Sequence, residues 1–313
     1  MSAAPKILVV GSVALDSVRT PYGEAENALG GSASYFSFSA SHFSHVGLVA
    51  VVGRDFPAGH RALFESRGVD LSGLETADGE TFRWRGEYAA ELGHAHTLET
   101  RLNVFSAFQP KLAEAHRDAD FVFLANIDPE LQLHVLQQVR RPKLVISDTM
   151  DYWIVRKPDR VLDVLREVHV AMLNEEEARA LAGETQIVRA ADRLLEQGAR
   201  AVIIKKGEHG AYYQSHEERF IAPAYPVEAL TDPTGAGDSF AGGFLGWLAR
   251  SGRMDGDALR QALVCGAAMA SLAIEGFSPV RLIETSQDEI ERRVARLHRM
   301  VHFDLQPLFQ DLG

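Results

Sequence analysis

A mainly parallel β-sheet covered by helices is the fold class this sequence predicts. Two observations carry the prediction: apolar runs of strand length recur along the chain, and segments of helical periodicity separate them. A third feature, two stretches of short alternating runs, adds a small β cover to the sheet.

Six runs read as buried strands: KILVVGSV (6–13), GLVAVVG (47–53), FVFLAN (121–126), KLVISD (143–148), VAMLN (170–174) and RAVIIKKG (200–207). Runs of this kind, apolar without alternation, belong to strands buried on both faces. Between them AGHRALFESRG, PELQLHVLQQV, PDRVLDVLREV and AADRLLEQG gather apolar residues on one helical face. The segments 15–31 and 81–103 break this rhythm, and a run such as Thr81, Phe82, Arg83, Trp84, Arg85 suits an antiparallel ribbon with one wet face. A ribbon laid over a sheet edge is a lid, and a lid implies a site that must shed water. The last third turns helical over 236–250, 257–275 and 286–297, the last with Ser286 as N-cap and Glu289 three residues on. No repeat, low-complexity tract or linker divides residues 1–313, which read as one α/β domain.

Composition narrows the function classes. A hydrophobic fraction of 46% beside 24% charged residues fits a globular chain with a substantial core. The formal net charge of −11 argues against a nucleic-acid surface, since phosphate backbones are held by clustered Lys and Arg. The single cysteine, Cys265, forms no internal disulfide and reads as a small core residue, so a cytoplasmic location is expected. The N-terminal MSAAPKILVVGSV is too quickly broken by glycine for a signal peptide, and no stretch reaches the roughly 18 apolar residues of a membrane span. The two histidines of GHAH (93–96) would share a ribbon face, yet no third ligand has a matching spacing for zinc.

The segment TDPTGAGDSFAGGFLG (231–246) concentrates the chemistry. A helix starting near Ala236 leaves the amides of Gly235, Ala236 and Gly237 at the positive end of its dipole, an anion nest suited to phosphate. It is neither a P-loop, which needs a Lys and a Ser or Thr after the glycines, nor a strand-linked G-x-G-x-x-G. Asp238, one residue beyond the nest, is expected to stay ionised under the helix dipole. Beside a polyphosphate it would repel the ligand, unless it faces a second substrate's hydroxyl and accepts the proton.

DPTGAGDSFAGGFLG is similar to the C-terminal signature of the ribokinase-like, or PfkB, carbohydrate kinase family. GSVALD (11–16), the glycine pair Gly30 and Gly31 opening a helix, LNEEEARAL (173–181) and VIIKKGEHGAYY (202–213) follow in family order. The resemblance implies a three-layer α/β/α fold with a small β lid. It also implies an ATP-dependent kinase acting on a hydroxyl, a hydroxymethyl group of a sugar or polyol being the first reading. A nucleoside acceptor is the alternative, and a non-catalytic nucleotide or sugar sensor the second. Within this picture the nest amides form the anion hole, Asp238 is the base, and Asp16 with Gly30 and Gly31 holds acceptor hydroxyls.

The same resemblance gives Asn174 and Glu177 to water-bound Mg2+, although their spacing also makes a reciprocal helix cap. Asp232 and Thr234 would border a monovalent-cation site, for K+, with carbonyls from 273–278, while DPTG by itself reads as a turn. Lys205, Gly207 and Gly210 would meet ATP, and Phe277 would pack on adenine. A homodimer through the lid edge is expected. One departure stands out: where such kinases commonly place an asparagine shortly after the glycine pair, this chain has Tyr35, which alters the acceptor contacts and leaves the phosphoryl-transfer residues intact.

Overall fold

The computed structural model describes residues 6–89, 93, 95–302 and 304; His94 of the GHAH motif lies outside them. Thirteen strands are formed among these residues: β1 (Ile7–Val10), β2 (Ala14–Thr20), β3 (Gly23–Gly30), β4 (Val46–Gly53), β5 (Asp70–Ala77), β6 (Phe82–Tyr88), β7 (Ala95–Arg101), β8 (Phe121–Leu124), β9 (Leu144–Ser147), β10 (Val170–Asn174), β11 (Ala201–Lys205), β12 (Ala211–Ser215) and β13 (Arg219–Ala222). The helices are α1 (Ser32–Ala40), α2 (Ala58–Ser66), α3 (Pro129–Leu136), α4 (Asp151–Arg156), α5 (Pro158–Glu167), α6 (Glu175–Ala182), α7 (Ile187–Glu196), α8 (Ala236–Ser251), α9 (Gly256–Ala273), α10 (Val280–Glu284) and α11 (Gln287–Val301).

The main sheet runs β13-β12-β11-β10-β9-β8-β1-β4-β5. It is parallel from β5 to β11, and β12 and β13 add an antiparallel edge. Alternate residues of one strand feed opposite cores, the mark of a sheet covered on both faces. Ile7 and Val9 join the layer of α1, α8 and α9, whereas Leu8 and Val10 join the layer of α3 and α5. Likewise Ile203 faces α8 and α9, and Ile204 faces α6 and α7. Helix α1 lies flat on the sheet through the stacked rings of Phe36 and Phe123, 4.3 Å apart, and is tied to α8 where the Ser39 hydroxyl donates to the Ser239 carbonyl at 2.6 Å. Those contacts bring the N-termini of α1 and α8 to the same end of the sheet, at the carboxyl ends of its parallel strands.

The lid is a four-stranded sheet ordered β3-β2-β6-β7. Two antiparallel hairpins, β2–β3 and β6–β7, are joined by a parallel seam between β2 and β6. The seam departs from a purely antiparallel ribbon: β2 and β6 belong to separate segments that both rise from the same end of the main sheet. No helix among the described residues is long and apolar enough to cross a membrane.

Candidate active site

Helix α8 begins at Gly235, whose φ of 75° and ψ of 5° lie in the left-handed region. No side chain caps this start. The expected nest of three open amides is narrower than the sequence suggests. The Ala236 N–H turns back to the Pro233 carbonyl at 3.2 Å, closing Pro233–Ala236 as a reverse turn. Among the described residues, the Gly235 and Gly237 amides keep no protein partner, so they form the open part of the anion site.

Asp238 sits half-buried in the first turn of α8. The expectation that it stays ionised is corrected: burial, reinforced by the charge of Asp148 and opposed by Lys205, pushes its carboxyl up to about 7. Desolvation outweighs the Lys205 charge and the hydrogen bond from the residue's own amide. A carboxyl poised near neutrality is suited to accept a proton at working pH.

Lys205, at the end of β11, reaches into the same cleft. Its Nζ donates to Asp148 Oδ2 at 2.5 Å and lies 3.0 Å from where a Cβ on Gly237 would sit. Burial alone would lower the lysine pKa, but Asp148 and Glu177 outweigh it and raise it, so the ammonium stays charged. Asp148 is a site residue that reasoning from sequence missed. The available signal was its position, a carboxylate ending the buried run KLVISD at the sheet edge where open α/β folds bind ligands.

Asn174 and Glu177 realise the reciprocal cap. The Glu177 N–H donates to Asn174 Oδ1 at 2.8 Å, and the Asn174 N–H donates to Glu177 Oε2 at 2.7 Å. Burial and the nearby Asp148 charge push the Glu177 carboxyl up to about 8, with Lys205 acting against them. Capping occupies one oxygen of Glu177, so the other remains for a ligand. Among the described residues no group of three or more His, Cys, Asp and Glu is placed to hold a metal ion. The Glu177 oxygen that the cap leaves free, beside Asn174, fits a Mg2+ ion held mainly by phosphate and water, with Glu177 as an outer partner.

On the acceptor side, Asp16 Oδ2 accepts from the Gly31 N–H at 3.3 Å. A Cβ on Gly30 would fall inside this carboxylate, and Gly31, at φ 91°, packs on the Ser12 carbonyl. Only glycines permit that approach and that backbone. Burial, then the charges of Asp232 and Asp238, push the Asp16 carboxyl up to about 7 against the Gly31 hydrogen bond. Tyr35 is buried, with its ring against Gly235. Burial and the carboxylates of Asp232 and Asp16 hold its phenol protonated.

Asp232 Oδ1 accepts from the Thr234 N–H at 2.9 Å, as a turn cap should, but Oδ2 is buried without a partner among the described residues. The loop expected to complete a cation site is beside it: the Ile274 carbonyl accepts from the Thr231 and Asp232 amides at 2.8 and 3.3 Å. Burial raises the Asp232 carboxyl above its usual range, against hydrogen bonds from Thr234 and from the Ser278 N–H of the same loop; a buried Oδ2 left without a well-formed bond fits a monovalent cation. The lid closes on this corner. The Tyr88 hydroxyl meets Thr234 Oγ1 at 3.1 Å, and Thr20 Oγ1 donates to the Thr231 carbonyl at 2.9 Å. The Phe277 ring packs under Gly23 of the lid turn. Gly207, at φ 54°, opens the β11–β12 connection, and Gly210 closes it by accepting from the Lys206 N–H at 2.7 Å.

A lidded α/β/α fold whose cleft gathers a glycine-rich helix start, the Asp238 carboxyl and the Lys205 ammonium is an arrangement suited to phosphoryl transfer. The model of the pfkB family of carbohydrate kinases matches residues 4–285, and the chain belongs to that family. It is 30% identical over 249 residues to a cytidine kinase from Thermococcus kodakarensis, covering 78% of this chain and 88% of that protein. The fold is shared with Methanocaldococcus jannaschii nucleoside kinase (TM-score 0.75, 20% identity, 94% of this chain and 100% of that chain). It is also shared with Burkholderia thailandensis nucleoside kinase in complex with ADP and inosine (TM-score 0.78, 17% identity, 98% and 100%). The protein is thus a kinase that transfers phosphoryl groups to an alcohol on a small molecule.

Proposed function

We propose that the protein is an ATP-dependent nucleoside kinase that phosphorylates the hydroxymethyl group of a pyrimidine nucleoside such as cytidine. The observation that carries the chemistry is Asp238: a carboxyl held near neutrality beside two open amides and a charged lysine. The similarity to a cytidine kinase over most of both chains supports the choice of acceptor. Asp16 and the Gly30–Gly31 turn hold ribose hydroxyls, and Asp238 takes the proton of the attacking hydroxyl as its oxygen bonds to the γ-phosphorus and the bond to the β-phosphate oxygen breaks, releasing ADP. The Gly235 and Gly237 amides and Lys205 receive the charge that develops on the phosphoryl oxygens. Bound Mg2+ supplies further neutralisation of the ATP phosphates, with Asn174 and Glu177 orienting its water. K+ fits at Asp232 and Thr234, where it would steady the turn that carries the nest. Gly207 and Gly210 border ATP, and Phe277 closes the loop beside it. Pairing of lid edges into a homodimer belongs to the same proposal.

A free sugar is the second reading, favoured by the Tyr35 ring, which fills the floor between Asp16 and Gly235. The test is ADP release over a panel of cytidine, other nucleosides, ribose, hexoses and polyols. Turnover with cytidine well above that with ribose supports the proposal, and the reverse selects the sugar. ATP and acceptor binding with no turnover on any member would make the protein a sensor.

A further inference from the structure

The carboxylate of Asp148 is more tightly fixed than a strand-end aspartate requires. Its Oδ1 accepts from the Thr149 N–H at 2.9 Å and its Oδ2 from Lys205 Nζ at 2.5 Å. Its backbone is fixed as well. The buried amide of Gln132 donates from Nε2 to the carbonyls of Leu124, Ala125 and Asp148 at 3.2, 2.9 and 2.9 Å, stapling the ends of β8 and β9 together. The Asp148–Lys205 pair is nearly sealed, with side-chain exposures of 6% and 16%. Such a pair contributes little net stability, because desolvating two charges offsets most of their attraction. The lysine nonetheless stays within contact of Gly237, one of the two open amides.

We infer that Asp148 is a positioning residue that holds the Lys205 ammonium over the anion nest as a resting counter-ion, and releases it to the phosphoryl group under transfer. The inference rests on the kinase reading above. In the resting protein the ammonium's hydrogen-bond acceptor, among the described residues, is Asp148 Oδ2. When a phosphate enters the nest, a second acceptor appears beside Gly237, and the lysine can be shared or handed over without crossing solvent. Holding the charge in place beforehand removes reorganisation at the moment of transfer. Asp148 acts through Lys205 and touches neither substrate.

The test is a double-mutant cycle on the full chain, with turnover on the responding acceptor and calorimetric binding of Mg2+-ATP without acceptor. Asp148→Asn is expected to lower kcat about tenfold or more, with the acceptor KM changed by less than about twofold. Its ATP affinity is expected to hold or tighten, since a negative charge has left an anion site, whereas Lys205→Met weakens ATP binding. In the Lys205→Met background, Asp148→Asn is expected to change kcat by less than about twofold, because the second residue works only through the first. Asp148→Glu, which keeps the charge, is expected to recover part of the loss. The inference is overturned if Asp148→Asn keeps wild-type kcat, or weakens ATP binding as Lys205→Met does. It is equally overturned if the two losses multiply. Should wild-type protein consume no ATP with any acceptor of the panel, the kinase proposal fails, while the calorimetric arm still reads the Asp148–Lys205 pair.

Discussion

The ring of Tyr35 occupies the space that a side chain on Gly235 would take. The residue that departs from the family's usual acceptor contact and the residue that starts the anion nest therefore form one packing unit.

Gly235→Ala must bring a Cβ into this ring at a left-handed φ of 75°. Strain of this kind costs about 1–3 kcal/mol. The melting temperature is expected to fall by several degrees and turnover to collapse. The loss of stability in Gly235→Ala/Tyr35→Ala should be smaller than the sum of the single losses, since the small side chain frees the space. Additive losses would separate the two residues.

The pH profile follows from Asp238. Its carboxyl titrates at about 7, and only the ionised form accepts a proton. Activity, read as kcat/KM, is expected to rise with pH through about 7 and to be largely lost near pH 5. Asp238→Asn should lower kcat by roughly 10²–10⁴. A wild-type profile flat from pH 5 to 8 would remove Asp238 from the role of base.

Stability should move the other way. Folding raises the Asp238 pKa from 3.8 to about 7, so the folded state holds its proton more tightly than the unfolded chain. The stabilisation this gives is complete below the unfolded value and is lost as pH rises through the folded one. Asp238→Asn, which cannot ionise, is expected to melt higher than wild type at pH 8 and close to it at pH 4. Equal differences at both pH values would show that burial does not penalise the charge.

Glu177 allows its two roles to be separated. Glutamine at the third helical position can still complete the reciprocal cap. Glu177→Gln is expected to melt close to wild type while its half-saturating Mg2+ concentration rises several-fold. A melting loss with no change in Mg2+ demand would leave Glu177 as a cap alone.

At Asp232, wild-type protein is expected to gain activity or melting temperature when K+ replaces a large organic cation, and Asp232→Asn to lose that gain. The orphaned Oδ2 is the reason. Indifference of the wild-type protein to K+ would leave Asp232 as a turn cap.

The central sheet was legible because β1, β4, β8, β9, β10 and β11 are apolar runs buried on both faces. β5 escaped, since an edge strand reading DLSGLETA carries polar residues and a glycine. β12 was not read as a strand either, and β13, four residues with two of them exposed, is too short to show a pattern. The N-x-x-E cap could be read because its bonds join neighbours close in sequence, whereas the roles given to Asp238 and Asp16 rest on the family resemblance and await the tests above. The place of Asp148 at the end of a buried run was a signal, but its pairing with Lys205 was not legible, since the two lie 57 residues apart and only the sheet brings them together. Nor was the titration of Asp238, where distant parts of the chain exclude water and Asp148 adds a like charge.

Three residues separate β1 from β2, and one separates β3 from α1. The strands that cover the cleft are thus direct extensions of the body, and Asp16 rides on one of them while Gly31 stands at the foot of the other. A cover rooted so short cannot swing as a detached door. Any tilt of the lid moves Asp16 against Gly31 and Asp238, so shutting out solvent and assembling the grip on the acceptor are one displacement. An acceptor too small to bridge lid and floor would leave that displacement incomplete, and hydrolysis of ATP would be restrained until the proper alcohol arrived.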